Sequence, residues 1–160
     1  MQAGGSSASS PDAQPHILSL RGAAALADQV ARVVEDAERQ HPGVRLVCDV
    51  APGLGMQVDP QLLARLLDAL VCRACEAAAE RDPHSDLPPL REVVVTAVDT
   101  PSAIEIEVAD SGAARRQACP AEAASLAARL GGSLAVAACP EGGTAVTLRL
   151  PRRRAQGMAA

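Results

Sequence analysis

The chain has 160 residues, 48% of them hydrophobic, and a net charge of -4, which fits one folded domain with an apolar core. It has no Phe, Tyr or Trp and a pI near 5.3, which excludes an aromatic base-stacking surface and argues against nucleic-acid binding. All 15 basic residues are Arg, and Asn is absent, so no site in this chain uses an Asn ligand.

The two ends of the chain differ in composition from its middle. Residues 1–15 are rich in Gly, Ser and Pro and are predicted to be a disordered leader. They lack the basic start and apolar stretch of a secretory signal, and no apolar run reaches the roughly 20 residues of a membrane span. The lack of a secretory signal and the odd number of Cys together favour a reduced, cytoplasmic setting. Residues 16–151 are predicted to form the domain, and residues 152–160 an Arg-rich flexible tail.

The first half of the domain is predicted to contain two helices separated by a strand. Apolar residues at three- and four-residue spacing predict a helix over residues 23–40. β-branched residues predict a strand over residues 44–50, and a second, short strand is expected at residues 56–58. Asp59 followed by Pro is typical of a helix start, and the Leu-rich pattern predicts a helix over residues 60–79.

The second half is predicted to be mostly strand, with one short Ala-rich helix ended by two glycines. Strict alternation in the middle of this half predicts a strand with one buried face and one wet face. The order of elements is not a parallel βαβ alternation. It predicts an α/β (α+β) fold, a two-layer sandwich of a mixed, mostly antiparallel sheet with about three helices on one face. The predicted strands are residues 93–98, 103–108, 134–138 and 144–150, and the helix is residues 121–130.

The cysteines offer two interpretations. Cys72 and Cys75 form a CxxC pattern, but they fall inside a predicted helix, where Cys is usually a small core residue rather than a redox pair. With Cys119 and Cys139 they would supply four thiols for a zinc site, which is the alternative. Cys48 lies in a predicted strand and is expected in the core.

Four sequence features follow one another at characteristic spacing. They are the helix start at Asp59, the segment IEIEVADSG at residues 104–112, the Gly pair at 131–132, and a last strand that ends at Pro151. Together they resemble the GHKL ATP-binding fold, most closely the catalytic ATP-binding domain of sensor histidine kinases. In that family they correspond to the N-box helix, the G1 box, a Gly-Gly turn and the final strand.

The resemblance implies a nucleotide site in which Asp110, Gly112 and Thr144 contact the adenine. The two N-box positions that carry Asn in the family fall on Ala69 and Arg73. Ala offers no ligand and Arg is a cation, so Mg²⁺ is doubtful and no metal ligand is assigned. The alternative is that Arg73 pairs directly with a phosphate.

The phosphate half of the family site is largely missing. Ala114 stands at the second G1 Gly, and residues 113–120 contain no Gly with which to cradle phosphate. Arg115 and Arg116 are the candidate phosphate contacts there. No His stands on a predicted helical hairpin, so no phosphoacceptor and no catalytic residue are assigned.

These features predict a bacterial module related to two-component signalling that binds ATP weakly at most and acts as a degenerate, regulatory interaction domain. Its expected partner is a response regulator, a separate phosphoacceptor protein or a second copy of itself. The first alternative is an active kinase working in trans, of the histidine-kinase or anti-sigma-factor serine-kinase type. The second is a truncated product of a larger sensor-kinase gene.

Overall fold

The computed structural model describes residues 25–80, 90–113 and 119–152. Within these ranges the chain forms three helices and five strands, in the order α-β-α-β-β-α-β-β that the sequence predicts. The elements are α1 (Leu26–Gln40), β1 (Arg45–Val50), α2 (Pro60–Ala79), β2 (Glu92–Asp99), β3 (Ala103–Asp110), α3 (Ala121–Arg129), β4 (Ser133–Ala138) and β5 (Thr144–Pro151).

The strands form a single mixed sheet in the order β1-β2-β3-β5-β4. β1 runs parallel to β2, and the other three neighbouring pairs are antiparallel. The helices cover one face of this sheet, so the predicted two-layer architecture is confirmed. No helix within the described residues is long and apolar enough to cross a membrane.

Helix α2 is positioned by its first residues. The Asp59 carboxylate accepts hydrogen bonds from the backbone N–H groups of Gln61 at 2.9 Å and Leu62 at 3.2 Å, and Pro60 occupies the first turn. Such a cap satisfies N–H groups that have no partner inside the helix, and it is worth about 1 kcal/mol. The helix then runs to Ala79, as the sequence predicts.

The core lies between α2 and the central strands. Ile104, Ile106 and Val108 of β3 point towards the helices and are buried, while Glu105 and Glu107 lie on the other face. This confirms the predicted two-faced strand. The buried side of α2 consists of Leu63, Leu66, Leu67, Leu70, Val71, Ala74, Cys75 and Ala78.

Two boundaries differ from the prediction. Residues 56–58 form an irregular connection rather than a strand, although Met56 is buried against the core. The first helix begins at Leu26, and residues 23–24 lie outside the described ranges.

At the end of α3, the N–H groups of Gly131 and Gly132 donate hydrogen bonds to the carbonyls of Ala128 and Ala127, respectively. This is the helix end expected from two glycines.

Candidate functional site

β3 ends in a turn that is locked to the start of β2. The N–H of Gly112 donates to Oδ1 of Asp110 at 2.8 Å, which closes an Asx turn. The Ser111 hydroxyl donates to the carbonyl of Leu90 at 2.6 Å and accepts from the N–H of Glu92 at 2.9 Å. The sequence analysis assigned no role to Ser111, because only the paired strands bring its hydroxyl next to residues about 20 positions away.

Glycine backbone fills the space around this turn. Gly143, in the loop between β4 and β5, has φ of +87°, and a Cβ added to it would lie 1.8 Å from the backbone carbonyl oxygen of Asp110. A Cβ on Gly112 would lie 2.4 Å from the carbonyl oxygen of Ala77 in α2. Both positions therefore exclude any side chain. We call this the closed end of the β3–β5 pair.

The Asp110 carboxyl is already engaged by backbone groups of the chain. Partial burial raises its pKa above the usual 3.8, and hydrogen bonds from the N–H groups of Gly112 and Thr144 act in the opposite direction without cancelling the rise. The carboxyl is therefore held in place by the turn and by the first residue of β5.

Asp110, Thr144 and Arg73 line one small cleft between α2 and the sheet. The structure thus brings together three of the residues that the sequence analysis nominated for nucleotide contacts. The cleft has a volume of about 30 Å³. Pockets that hold small molecules typically measure about 300–1,000 Å³, so this cleft is far smaller than such a pocket. The remaining lining residues are Leu70, Ala74, Ala77, Val108, Cys119, Pro120 and Val146.

The middle of α2 presents no oxygen ligand at the two aligned positions. Ala69 is half-buried, and Arg73 is exposed with its guanidinium 3.9 Å from the carboxylate of Glu76. Asp68, one residue before the first position, is exposed, and its carboxylate oxygen lies 3.8 Å from the sulfur of Cys72. Magnesium prefers several oxygen ligands in tight octahedral geometry. The residues at these positions do not fit it.

Several nominated residues lie outside the described ranges. Arg115 and Arg116 belong to residues 114–118, so their predicted phosphate contacts remain predictions, and Ala114, at the second Gly position of the resemblance, lies in the same range. Arg152, the first residue of the predicted tail, is described. Its N–H donates to the carbonyl of Ser102 at 2.9 Å and its guanidinium contacts the Asp99 carboxylate, so it is fixed at the end of β5.

All five cysteines are free thiols within the described ranges. Cys75 is fully buried, and burial is the main cause that raises its pKa to about 11, as expected for a core residue. No cluster of three or more His, Cys, Asp or Glu suited to a metal exists among the described residues, so the four-thiol zinc alternative has no structural support. Cys48 is exposed, contrary to the predicted core position, because β1 is an edge strand.

A much larger cavity, about 780 Å³, lies at the other end of β3 and β5. We call this the open end. The connection before α2, the end of α3 and the last residues of β5 surround it, and no sequence pattern predicts that these segments meet. Two of its charged residues already have partners, because Asp59 caps α2 and Arg152 contacts Asp99. Of the nominated nucleotide contacts that lie in the described ranges, none lines it.

Solved structures of histidine-kinase domains are similar to this chain. The mycobacterial sensor histidine kinase MprB has a TM-score of 0.62 at 20% identity, covering 80% of this chain and 95% of that one. The ATP-binding domain of PrrB from Mycobacterium tuberculosis has a TM-score of 0.64 at 22% identity, covering 81% and 95%. The catalytic domain of the histidine kinase ThkA has a TM-score of 0.60 at 15% identity, covering 79% and 92%.

The chain has the histidine-kinase ATP-binding fold. No protein-family model and no curated protein sequence matches the chain. The similarity is therefore one of architecture, in the order of helices and strands that the sequence predicts. In this fold, Asp110 and Thr144 stand at the ends of the inner strands β3 and β5, facing α2.

Proposed function

We propose that this chain is a degenerate histidine-kinase-like ATP-binding module, related to two-component signalling, that works through protein contact rather than phosphoryl transfer. The observation that carries the proposal is the cleft of about 30 Å³ beside Asp110 and Thr144. Small-molecule ligands such as a nucleobase bind in pockets of roughly 300–1,000 Å³, far larger than this cleft. Ala69 and Arg73, at the positions of the family's magnesium ligands, support the same conclusion.

The adenine half of the site supports weak nucleotide binding at most. Asp110, Gly112 and Thr144 are the residues that would contact the base, with Arg73, Arg115 and Arg116 the candidate phosphate contacts. However, Oδ1 of Asp110 already accepts a bond from Gly112, and the backbone of Gly143 is packed against the same turn. Opening the cleft for a base would disturb these contacts, which lowers any affinity.

A partner protein would then read the folded surface of the module, whether or not nucleotide is present. The candidates are a response regulator, a separate phosphoacceptor protein and a second copy of this chain. All three are the kinds of partner that the histidine-kinase resemblance implies.

Isothermal titration calorimetry with ATP and ADP, each with and without Mg²⁺, tests the proposal directly. We expect no magnesium-dependent heat from a sample that circular dichroism shows to be folded. Intrinsic fluorescence cannot report binding, because the chain has no Trp or Tyr. Micromolar binding that strengthens with Mg²⁺ would contradict the proposal.

The second candidate is an active kinase that works in trans. The meeting of Asp110, Thr144 and Arg73 at one cleft favours it, whereas the small volume of that cleft argues against it. It requires that Asp110→Asn weaken nucleotide binding at least about tenfold, since a neutral amide would replace the carboxylate that accepts a hydrogen bond from the base. Asp99→Asn is the matched control, because Asp99 lies at the other end of the sheet and contacts Arg152. Transfer of labelled phosphate from ATP to a purified partner would establish this candidate. Nucleotide binding that is unchanged in Asp110→Asn would show that the adenine contact is wrongly assigned.

A further inference from the structure

In the described part of the chain, the strand β4 is an edge of the sheet, with β5 as its sole neighbour. Within the described residues, no backbone group pairs with β4 on its other side. Its sequence is Ser-Leu-Ala-Val-Ala-Ala, with no charged residue and no Pro, and Val136 at its middle is 41% exposed. The opposite edge strand, β1, carries the charged residues Arg45 and Asp49. Charged residues, Pro and β-bulges usually protect an exposed edge strand from pairing with another chain, and β4 has no charged residue and no Pro.

The register with β5 decides which backbone groups of β4 face outward. The N–H of Cys139 donates to the carbonyl of Gly143 at 3.1 Å, so this pair is hydrogen-bonded. Hydrogen-bonded and non-hydrogen-bonded pairs alternate along an antiparallel ladder. The backbone groups of Leu134, Val136 and Ala138 therefore point away from β5, towards the free edge.

We propose that a second copy of this chain pairs with that edge, β4 against β4 in antiparallel orientation about a two-fold axis at Val136. In this register Val136 lies opposite Val136 of the second copy, and Leu134 lies opposite Ala138. Each of these residues then donates and accepts one backbone hydrogen bond across the interface. The result is one continuous sheet made from both copies.

The side chains of β4 fit a second copy of the same strand. The register places large Leu134 beside small Ala138, and Ala135 beside Ala137 on the opposite face of the sheet. A closed two-fold interface brings each residue against the same patch of its partner, so an uncharged strand brings no like charges together.

The interface is small, which sets its strength. A strand of 6 residues buries less than the roughly 1,200 Å² at which stable protein interfaces begin. We therefore infer a reversible dimer whose population rises with concentration. In such a dimer, the second copy is the partner of the interaction module proposed above. The biological role of the dimer rests on that proposed function, but its formation does not.

Sedimentation equilibrium of the full chain over a concentration series, with a reducing agent present, tests the dimer. The expected result is a mass that rises from the 16.3 kDa of one chain towards that of two. Val136→Lys places like charges opposite each other and should weaken association at least about tenfold. Val136→Pro removes an N–H that faces the free edge rather than β5, so it should have the same effect without disturbing the fold.

Val98→Lys is the matched control. Val98 is 56% exposed but lies in β2, an inner strand, so a charge there should leave the dimer unchanged. A wild-type chain that stays monomeric at about 1 mM, the weak limit for a specific contact, would overturn the inference and leave the edge to a strand from a different protein. The inference would also be overturned if Val136→Lys and Val136→Pro dimerise like the wild type, or if Val98→Lys weakens the dimer as much as they do. A wild-type mass above that of two chains would overturn it as well.

The proposed dimer and the proposed loss of nucleotide binding can be contradicted independently of each other. Magnesium-dependent nucleotide binding by a dimeric chain would contradict the degenerate module and leave the β4 pairing in place. A folded monomer without nucleotide binding would contradict the β4 pairing alone.

Discussion

The two ends of the β3–β5 pair have opposite packing. At the closed end, the backbones of Gly112 and Gly143 lie against neighbouring backbone, and about 30 Å³ remains beside Asp110. At the open end, Ile104 and Leu150 border a cavity of about 780 Å³. The closed end holds the residues that the histidine-kinase resemblance assigns to adenine, whereas the open end holds none of them. Backbone packing therefore sets the room beside these residues, which their types and positions in the sequence do not determine.

The largest expected effect comes from breaking the closed end. Gly143→Ala adds a Cβ that would lie 1.8 Å from the Asp110 carbonyl oxygen, and it does so at φ of +87°. We expect a loss of about 4 kcal/mol or more in the free energy of unfolding, measured by urea denaturation followed by circular dichroism. Gly53→Ala is the control, since Gly53 has the same φ and no atom within 4 Å of the added Cβ. It should cost only about 1–2 kcal/mol. Equal losses in the two variants would contradict the close packing at Gly143.

Two leucines of β5 compare the middle of the core with the open end. Leu148 and Leu150 face the same side of the sheet and are 0% and 4% exposed. Leu148→Ala should cost about 3–4 kcal/mol, because its neighbours cannot collapse around the cavity left behind. Leu150→Ala should cost nearer 2 kcal/mol, because Leu150 already borders the large cavity and gives up fewer contacts. Urea denaturation of both variants measures the difference, and a cost at Leu150 that equals or exceeds that at Leu148 would argue that the open end is as well packed as the middle.

The smallest expected effect is a pH dependence at Asp110. Its folded-state pKa is raised above 3.8 by burial, so protonation is easier in the folded chain than in the unfolded one. The stabilisation that this group contributes is fully present below its unfolded pKa and is lost as pH rises through its folded pKa. Wild-type stability relative to Asp110→Asn should therefore fall as pH rises across that interval and stay constant on either side of it. Urea denaturation at a series of pH values measures this, and the opposite slope would show that hydrogen bonding outweighs burial at Asp110.

The order and type of the elements were predictable because each depends on neighbours in the sequence. The apolar spacing of α2, its Asp59 cap and the alternation in β3 act over a few residues, and all three appear in the structure as predicted. The short strand expected at residues 56–58 does not form in the described structure. Three residues with strand-like composition contain too little periodicity to distinguish a strand from an extended connection.

The sequence nominated residues for a candidate site but could not predict the shape of the space around them. The sequence nominated Asp110, Thr144 and Arg73, and the structure places all three around one cleft. The sequence could not give the size of that cleft. The approach of Gly143 to Asp110 joins segments more than 30 residues apart, and it depends on how the β4–β5 loop packs against the turn that ends β3. The exposure of Cys48 likewise depends on which strands end at the edges of the sheet.

The sequence by itself therefore determined the two-layer fold and the absence of Asn, and with it the absence of the family's amide ligands at Ala69 and Arg73. The tertiary structure decided the rest: a closed cleft at one end of β3 and β5, a cavity at the other, and an uncharged free edge along β4. The physical reason is the distance along the sequence over which each effect acts. Periodicity, caps and composition act locally along the chain, whereas the volume between packed segments and the identity of an edge strand exist only after distant segments meet.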